Sequence, residues 1–93
     1  MFKSIYYYID KFNRDEIYKL NRTINIIYRN YSNGFNKKEI LKLVTFCKKH
    51  RRKIYISNNL KLALRFNFDG VYIPAFNKTL NYKNITKKNF EII

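Results

Sequence analysis

The sequence predicts an α/β domain in which parallel strands alternate with helices, and three observations carry that prediction. Short runs rich in β-branched and aromatic residues recur along the chain, separated by roughly 20 to 25 residues, the length of a βα unit. These runs are almost continuously apolar, as expected of strands covered on both faces in a parallel sheet. Segments with polar caps and helical spacing of apolar residues lie between them, so the order reads βα repeated.

Each element follows from local chemistry. Ile5-Tyr6-Tyr7-Tyr8-Ile9 is the first predicted strand and ends at Asp10. Alternation of strand faces splits Tyr6, Tyr7 and Tyr8 between two sides, so packing explains this run better than a base-stacking platform. A short helical piece is expected from Arg14 to Leu20, with Asp15 and Glu16 in the first turn, where the helix dipole favours acids. Ile24 to Tyr28 is the second strand, and 30–36 is a loop centred on Asn33-Gly34.

The segment 37–50 is the clearest helix. Asn36 can cap it and Glu39 follows three residues later, a variant of the capping box. Ile40, Leu43, Val44 and Cys47 recur at three and four residues and mark its inward face, while Lys37, Lys38, Lys42, Lys48 and Lys49 point elsewhere. The basic run from Lys48 to Lys53 lies where the negative end of the dipole favours positive charge. Ile54 to Ile56 is the third strand, stopped by Ser57-Asn58-Asn59, whose side chains can cap a short helix beginning near Leu60. Asp69-Gly70 reads as a turn into a fourth strand, Val71-Tyr72-Ile73, which Pro74 ends because it lacks an N–H for the ladder. A polar turn region from Lys78 to Lys88 leads to a last strand, Phe90 to Ile93.

Length and composition set the class. With 93 residues the chain forms one small domain, 1–93, with no internal linker. Its hydrophobic share of 46%, with nine Tyr and eight Phe, is enough for a core and argues against disorder. Cys47 is the single cysteine and has no internal disulfide partner, and no charged segment followed by a long apolar run reads as a signal peptide. A reducing cytoplasm is the expected setting, with no membrane partner, since no apolar run approaches the ~18 to 20 residues of a spanning helix. The last strand has nothing after it to cover it. The expectation is either the first half of a larger βα protein or a chain that completes itself by pairing with another copy.

Twenty Lys and Arg against six acids give a net charge of +14. Taken alone, this points to a polyanion such as nucleic acid. A different origin is open: Lys, Asn, Ile, Tyr and Phe are all encoded by A/T-rich codons and all abundant, while Gly (two), Pro (one) and Trp (none) are scarce. Codon drift of that kind fills solvated faces with lysine whatever the function. Codon drift is therefore the preferred reading of the charge, an anion-binding role for part of it comes second, and a small basic nucleic-acid-binding protein is the runner-up function, nucleic acid not being the expected partner.

The pattern Ile-Ser-Asn-Asn-Leu-Lys-Leu-Ala-Leu at 56–64, followed by Asp-Gly-Val-Tyr-Ile-Pro at 69–74, resembles the thiamine phosphate synthase and TenI family. That family carries Ile-Asn-Asp-x-x-x-Leu-Ala and Asp-Gly-Val-His-Leu-Gly-Gln-x-Asp at the same separation. Upstream, Ile26-Ile27-Tyr28-Arg29-Asn30-Tyr31 is similar to the family's Val-Gln-Leu-Arg-x-Lys strand, and Tyr6 to Asp10 to its opening Tyr-x-Ile-Thr-Asp strand. The resemblance spans the chain but corresponds to the first half of the family's fold. It implies the N-terminal half of a TIM (β/α)8 barrel and a place in thiamine biosynthesis. The activity it implies is a transferase joining a pyrimidine diphosphate to a thiazole phosphate, with Mg²⁺ on the departing pyrophosphate.

Residue by residue, the resemblance places Arg29 on the arginine that holds phosphate, where a guanidinium can make a bidentate contact. A strand-end arginine paired with an acid such as Asp10 is the structural alternative. Ser57 and Asn58 fall on the family's Asn-Asp pair, and Asn77 on the aspartate after the fourth strand. Asn58 and Asn77 thus occupy its metal-ligand positions, and as amides they bring no charge to Mg²⁺. Ile27, Tyr31 and Tyr72 replace the family's Gln, Lys and His. Arg29, Ser57, Asn58, Asn77 and Lys78 are the candidate site for a phosphorylated pyrimidine or thiazole, as a binding fragment or a catalytically silent one. The second half of the barrel, with its glycine-rich phosphate loops, lies outside this sequence, so the chain alone is not expected to be a complete enzyme. His50, in a basic run without a partner at metal spacing, reads as a surface residue, and Cys47 as buried and inert.

Overall fold

The computed structural model describes residues 5–29, 36–73 and 89–93. Its elements alternate as expected: β1 (Ile5–Ile9), α1 (Arg14–Lys19), β2 (Ile24–Tyr28), α2 (Lys37–Lys49), β3 (Ile54–Ser57), α3 (Leu60–Arg65), β4 (Gly70–Tyr72) and β5 (Glu91–Ile92). All four strand pairings are parallel and the sheet order is β1-β2-β3-β4-β5. No helix of the described residues is long and apolar enough to cross a membrane. The expected loop at 30–35, Pro74 and the turn region 78–88 lie outside the described residues.

A sheet whose strands follow in chain order has crossovers that all step the same way, and crossovers of one hand put their helices on one face. The packing bears this out. Ile9, Ile26, Tyr28, Ile54, Ile56 and Val71 form one buried cluster with Ile17 of α1, Ile40, Leu43, Val44 and Cys47 of α2, and Ala63 of α3. The α2 residues are the set expected from helical spacing. Strand residues of the other parity face away from the helices, and there Ile27 and Tyr55 are buried outside that cluster.

This second face is strongly curled. On a flat sheet, side chains three strands apart stay about 14 Å from each other. Yet the ring centroids of Tyr8 on β1 and Tyr72 on β4 are 5.8 Å apart, and those of Tyr6 on β1 and Tyr55 on β3, two strands or about 10 Å apart on a flat sheet, are 5.9 Å apart. The sheet therefore bends toward the face without helices, and its concave side is filled by tyrosines. Tyr6 and Tyr8 belong to this inner layer, whereas Tyr7 turns to the helix side, where its hydroxyl donates to Glu16 Oε2 at 3.2 Å. The run is divided as alternation requires, and two of its three rings serve the inner face instead of the helix-side core.

Caps set the helix starts. Asn13, Asn36 and Asn59 each accept from backbone N–H groups of the first turn, so an asparagine begins every described helix. Half of the capping box expected at 36–39 forms, Asn36 Oδ1 accepting from the Glu39 N–H at 3.2 Å, and the other half is a correction: among the described residues the Glu39 carboxylate accepts from Tyr28 Oη at 2.7 Å, not from the Asn36 N–H. A buried tyrosine hydroxyl at the end of β2 needs an acceptor, and this carboxylate is within reach.

The Asp69-Gly70 turn is a second correction. The chain leaves α3 through Phe66 and Asn67, where Asn67 has φ 61°, and Gly70 is already the first residue of β4. Asp69 joins three elements. Its Oδ2 accepts from the Ile54 N–H at 2.9 Å and its Oδ1 from Lys48 Nζ at 3.0 Å, while its own N–H donates to Ile54 O at 2.9 Å. Gly70 is required by close approach: a Cβ there would overlap the Glu91 carbonyl oxygen and lie 2.9 Å from Tyr55 Cδ1.

The basic run before β3 is the third correction. Arg52 is 6% exposed and is not part of a solvated charge cluster. Its Nη1 donates to Asn21 O (2.8 Å) and Ile24 O (3.0 Å), and its Nη2 to Leu20 O (2.9 Å). One guanidinium thereby clamps the turn between α1 and β2 to the turn between α2 and β3.

Candidate functional site at the carboxyl rim of the sheet

Parallel order brings the residues that follow each strand to one edge of the sheet, where ligands of α/β proteins commonly bind. Arg29 directly follows β2, and its N–H donates to Ile9 O at 2.7 Å, extending the β1–β2 ladder by one step. Ser57 ends β3 and pairs in register with Tyr72. Asn58 follows, its N–H donating to Tyr72 O at 2.7 Å. Asn77 and Lys78 lie outside the described residues.

The side chains at this rim form a connected set. The Arg29 guanidinium carbon lies 4.6 Å from the centre of the Tyr8 ring, and Tyr8 in turn meets Tyr72 edge-on. Tyr72 adjoins Ser57 across the β3–β4 pair. Residues of β1, β3 and β4 and Arg29 after β2 are thus neighbours along one edge of the sheet. Arg29 is exposed, and none of the ion pairs among the described residues uses it. The pairing with Asp10 weighed from sequence is replaced by stacking on Tyr8. That contact holds the guanidinium plane in place, worth about 0.5 to 1 kcal/mol at an exposed site, and leaves its N–H edge available to an anion.

Ser57 is buried and Asn58 half-buried. Asn58 has φ 53°, in the left-handed region. Asparagine and glycine tolerate that conformation best, so backbone shape is a sufficient reason for an amide here. The fit to Mg²⁺ is poor. Asn58 carries no charge, and Asp10 is the single carboxylate directly following a strand at this rim among the described residues. Asp69 and Glu91 lie at the opposite, amino end of the strands. No step is routed through a metal.

At that amino end Glu91 Oε1 accepts from Lys53 Nζ at 2.7 Å and from Tyr55 Oη at 3.1 Å. The hydrogen bond to Glu91 raises the Lys53 pKa, and burial, followed by the negative charge of Glu91, pushes the Tyr55 phenol well above its usual range. Both protons are therefore firmly held, which suits a fixed structural network and not proton transfer near neutrality. Burial also pushes the Cys47 thiol up to about 12, so it is the inert core residue that its helical position implied. His50 is exposed and packs on Phe46, with ring centroids 4.3 Å apart.

The family resemblance had drawn attention to Arg29, Ser57 and Asn58 but not to Tyr8, which organises the arginine. The available signal was parity, since Tyr8 and Tyr72 face the side of the sheet opposite the helical core. No protein-family model, curated protein or solved structure matches the chain.

Proposed function

We propose that this chain is a βα half barrel of thiamine phosphate synthase or TenI type that binds a phosphorylated pyrimidine or thiazole at the carboxyl rim. The observation that carries the reading is Arg29, exposed at the end of a parallel strand and stacked on Tyr8, with its hydrogen-bonding edge uncommitted to any described acid. The singly wound sheet order and the curl toward the helix-free face support the barrel, because a barrel is a sheet of this order bent in this sense.

In this reading the Arg29 guanidinium holds phosphate through paired N–H donors, and Tyr8 fixes its plane before the ligand arrives. Ser57 and Asn58 line the same edge from β3. Lys78, in the segment after β4, supplies further positive charge. The site works without strong dependence on Mg²⁺, because amides stand where the resembling family has carboxylates. It is a binding site, with no catalytic step assigned to it, in a cytoplasmic protein.

Titration calorimetry with thiazole phosphate and with pyrophosphate tests this. Binding is expected with and without Mg²⁺, and Arg29→Ala is expected to weaken it by about 1.5 to 3 kcal/mol, the range for a hydrogen bond to a charged group. Unchanged affinity in Arg29→Ala, or binding seen only with Mg²⁺, would remove this site.

A further inference from the structure

The helical layer carries a second concentration of charge, far from random in its arrangement. Three adjoining concavities share His50 as a wall. The largest, about 490 Å³, runs along α2 between Phe12, Phe46 and Leu41, with Arg14, Lys42 and Lys49 at its borders. The second, about 300 Å³, is bounded by Tyr18, Arg22 and Arg52. The third, about 290 Å³, lies among Arg22, Lys49 and Arg51.

Rings run through this surface as a ladder. Phe12 meets Phe46 at 5.7 Å between centroids, Phe46 meets His50 at 4.3 Å, and His50 meets Tyr18 edge-on at 6.0 Å. Tyr18 is 70% exposed, far more than packing requires. All six acids of the chain are among the described residues, yet none lines any of the three concavities. Asp69 and Glu91 pair with Lys48 and Lys53, and Glu16 and Glu39 accept from Tyr7 and Tyr28. Asp15, between Arg14 and Tyr18 on α1, is the acid nearest in sequence to this surface, but it lines none of the concavities. Codon drift adds lysines everywhere; it does not explain exposed rings set between cations around concavities that no acid lines.

We propose that this ridge binds a single strand of nucleic acid, with Arg14, Arg22, Lys42, Lys49 and Arg51 on its phosphates and bases stacked on Tyr18 and His50. Charge complementarity selects a polyanion. Exposed rings select one whose bases are free, since a duplex hides their faces in its own stack. Rings and cations read base faces and phosphates that RNA and DNA share, so the sugar is not discriminated.

Fluorescence anisotropy of labelled U12, dT12 and a 12-base-pair duplex tests the assignment on the full chain. Both single strands are expected to bind within a few-fold of each other and more tightly than the duplex. With five phosphate contacts, log affinity is expected to fall against log salt with a slope of about −3.5. Tyr18→Ala, at an exposed position, is expected to reduce affinity about tenfold, in the range for loss of one stacked base. Arg51 sits at φ 55°, so Arg51→Asn removes charge without opposing the backbone and is expected to reduce the slope by about 0.7. Lys61→Gln, on α3 and outside the lining of all three concavities, is expected to change affinity less than twofold. Equal loss from Arg51→Asn and Lys61→Gln, no effect of Tyr18→Ala, or preference for the duplex would overturn the proposal.

Discussion

Replacement of Arg52 by alanine is expected to remove a large share of the protein's stability, although the residue lies in a stretch that reads as surface charge. The guanidinium makes three hydrogen bonds to the carbonyls of Leu20, Asn21 and Ile24 at 2.8 to 3.0 Å, and only 6% of the residue is exposed. Each bond has a charged donor, and its loss leaves a part-buried carbonyl without that partner at a cost of about 1 to 3 kcal/mol. Three such losses do not add fully, because the freed turn relaxes and admits water, so the expected total is about 3 to 5 kcal/mol. At ~0.05 to 0.15 kcal/mol per residue, a domain of this length has about 5 to 14 kcal/mol in all. Arg52→Ala therefore removes a large share of it. Arg52→Lys keeps the charge but lacks the planar fork, and an intermediate loss of about 2 kcal/mol is expected. Urea denaturation followed by circular dichroism measures both, the chain having no tryptophan to report. Arg52→Ala within about 1 kcal/mol of the parent would refute the reasoning, by showing that water satisfies the same carbonyls at little cost.

Three further outcomes follow from the core and the strand ends. Cys47 is expected to resist a thiol reagent at pH 8 in the folded protein and to react at once in urea, since burial both shields it and raises its pKa to about 12; rapid labelling of the native state would contradict its placement. Stability is expected to fall as pH rises from about 9 to 12. Cys47 and Tyr55 both have raised pKa values in the fold, so the unfolded chain releases those protons first and gains on the folded one. Lys53, also raised, adds a smaller loss in the same direction as pH passes through its folded pKa, small because the side chain is more than half exposed. Thermal melts across that range that do not fall would refute the signs. Gly70→Ala is expected to cost about 2 kcal/mol or more, because the new methyl meets the Glu91 backbone and the Tyr55 ring, neither of which moves cheaply. A neutral result would mean that β5 is free to shift.

What was legible in the sequence depended on whether a residue's role is local. The strand runs, the Asn36 cap and the Ile40, Leu43, Val44 and Cys47 face are set by neighbours within a turn or two, and each stands where expected. Arg52 could not be read this way, since its partners lie 28 to 32 residues earlier and are carbonyls, which every residue possesses. Gly70 was assigned to a turn because Asp-Gly usually makes one, and the competing cause, close approach of Glu91, is invisible until β5 is in register. At the rim the chain position of Arg29 was legible but its orientation was not. That depends on curl, which brings Tyr8 and Tyr72 together across three strand spacings.

Asparagine links the fold to the chemistry of its rim. With two glycines available, the chain places Asn58, Asn67 and Asn89 at left-handed positions with φ of 53°, 61° and 63°. Asparagine is the ordinary substitute for glycine there, because its short polar side chain can bond locally and offset part of the steric cost. The same residue type caps all three described helices. An amide at 58 is thus explained by the backbone before any ligand is considered, and its likeness to a metal position carries little weight alone. Arg29 is different. Neither an ion pair nor a backbone constraint among the described residues accounts for an arginine stacked on an exposed tyrosine ring at the rim. Binding at this edge stands or falls with that one side chain, so the Arg29→Ala titration discriminates where substitution of Asn58 would confound ligand loss with strain.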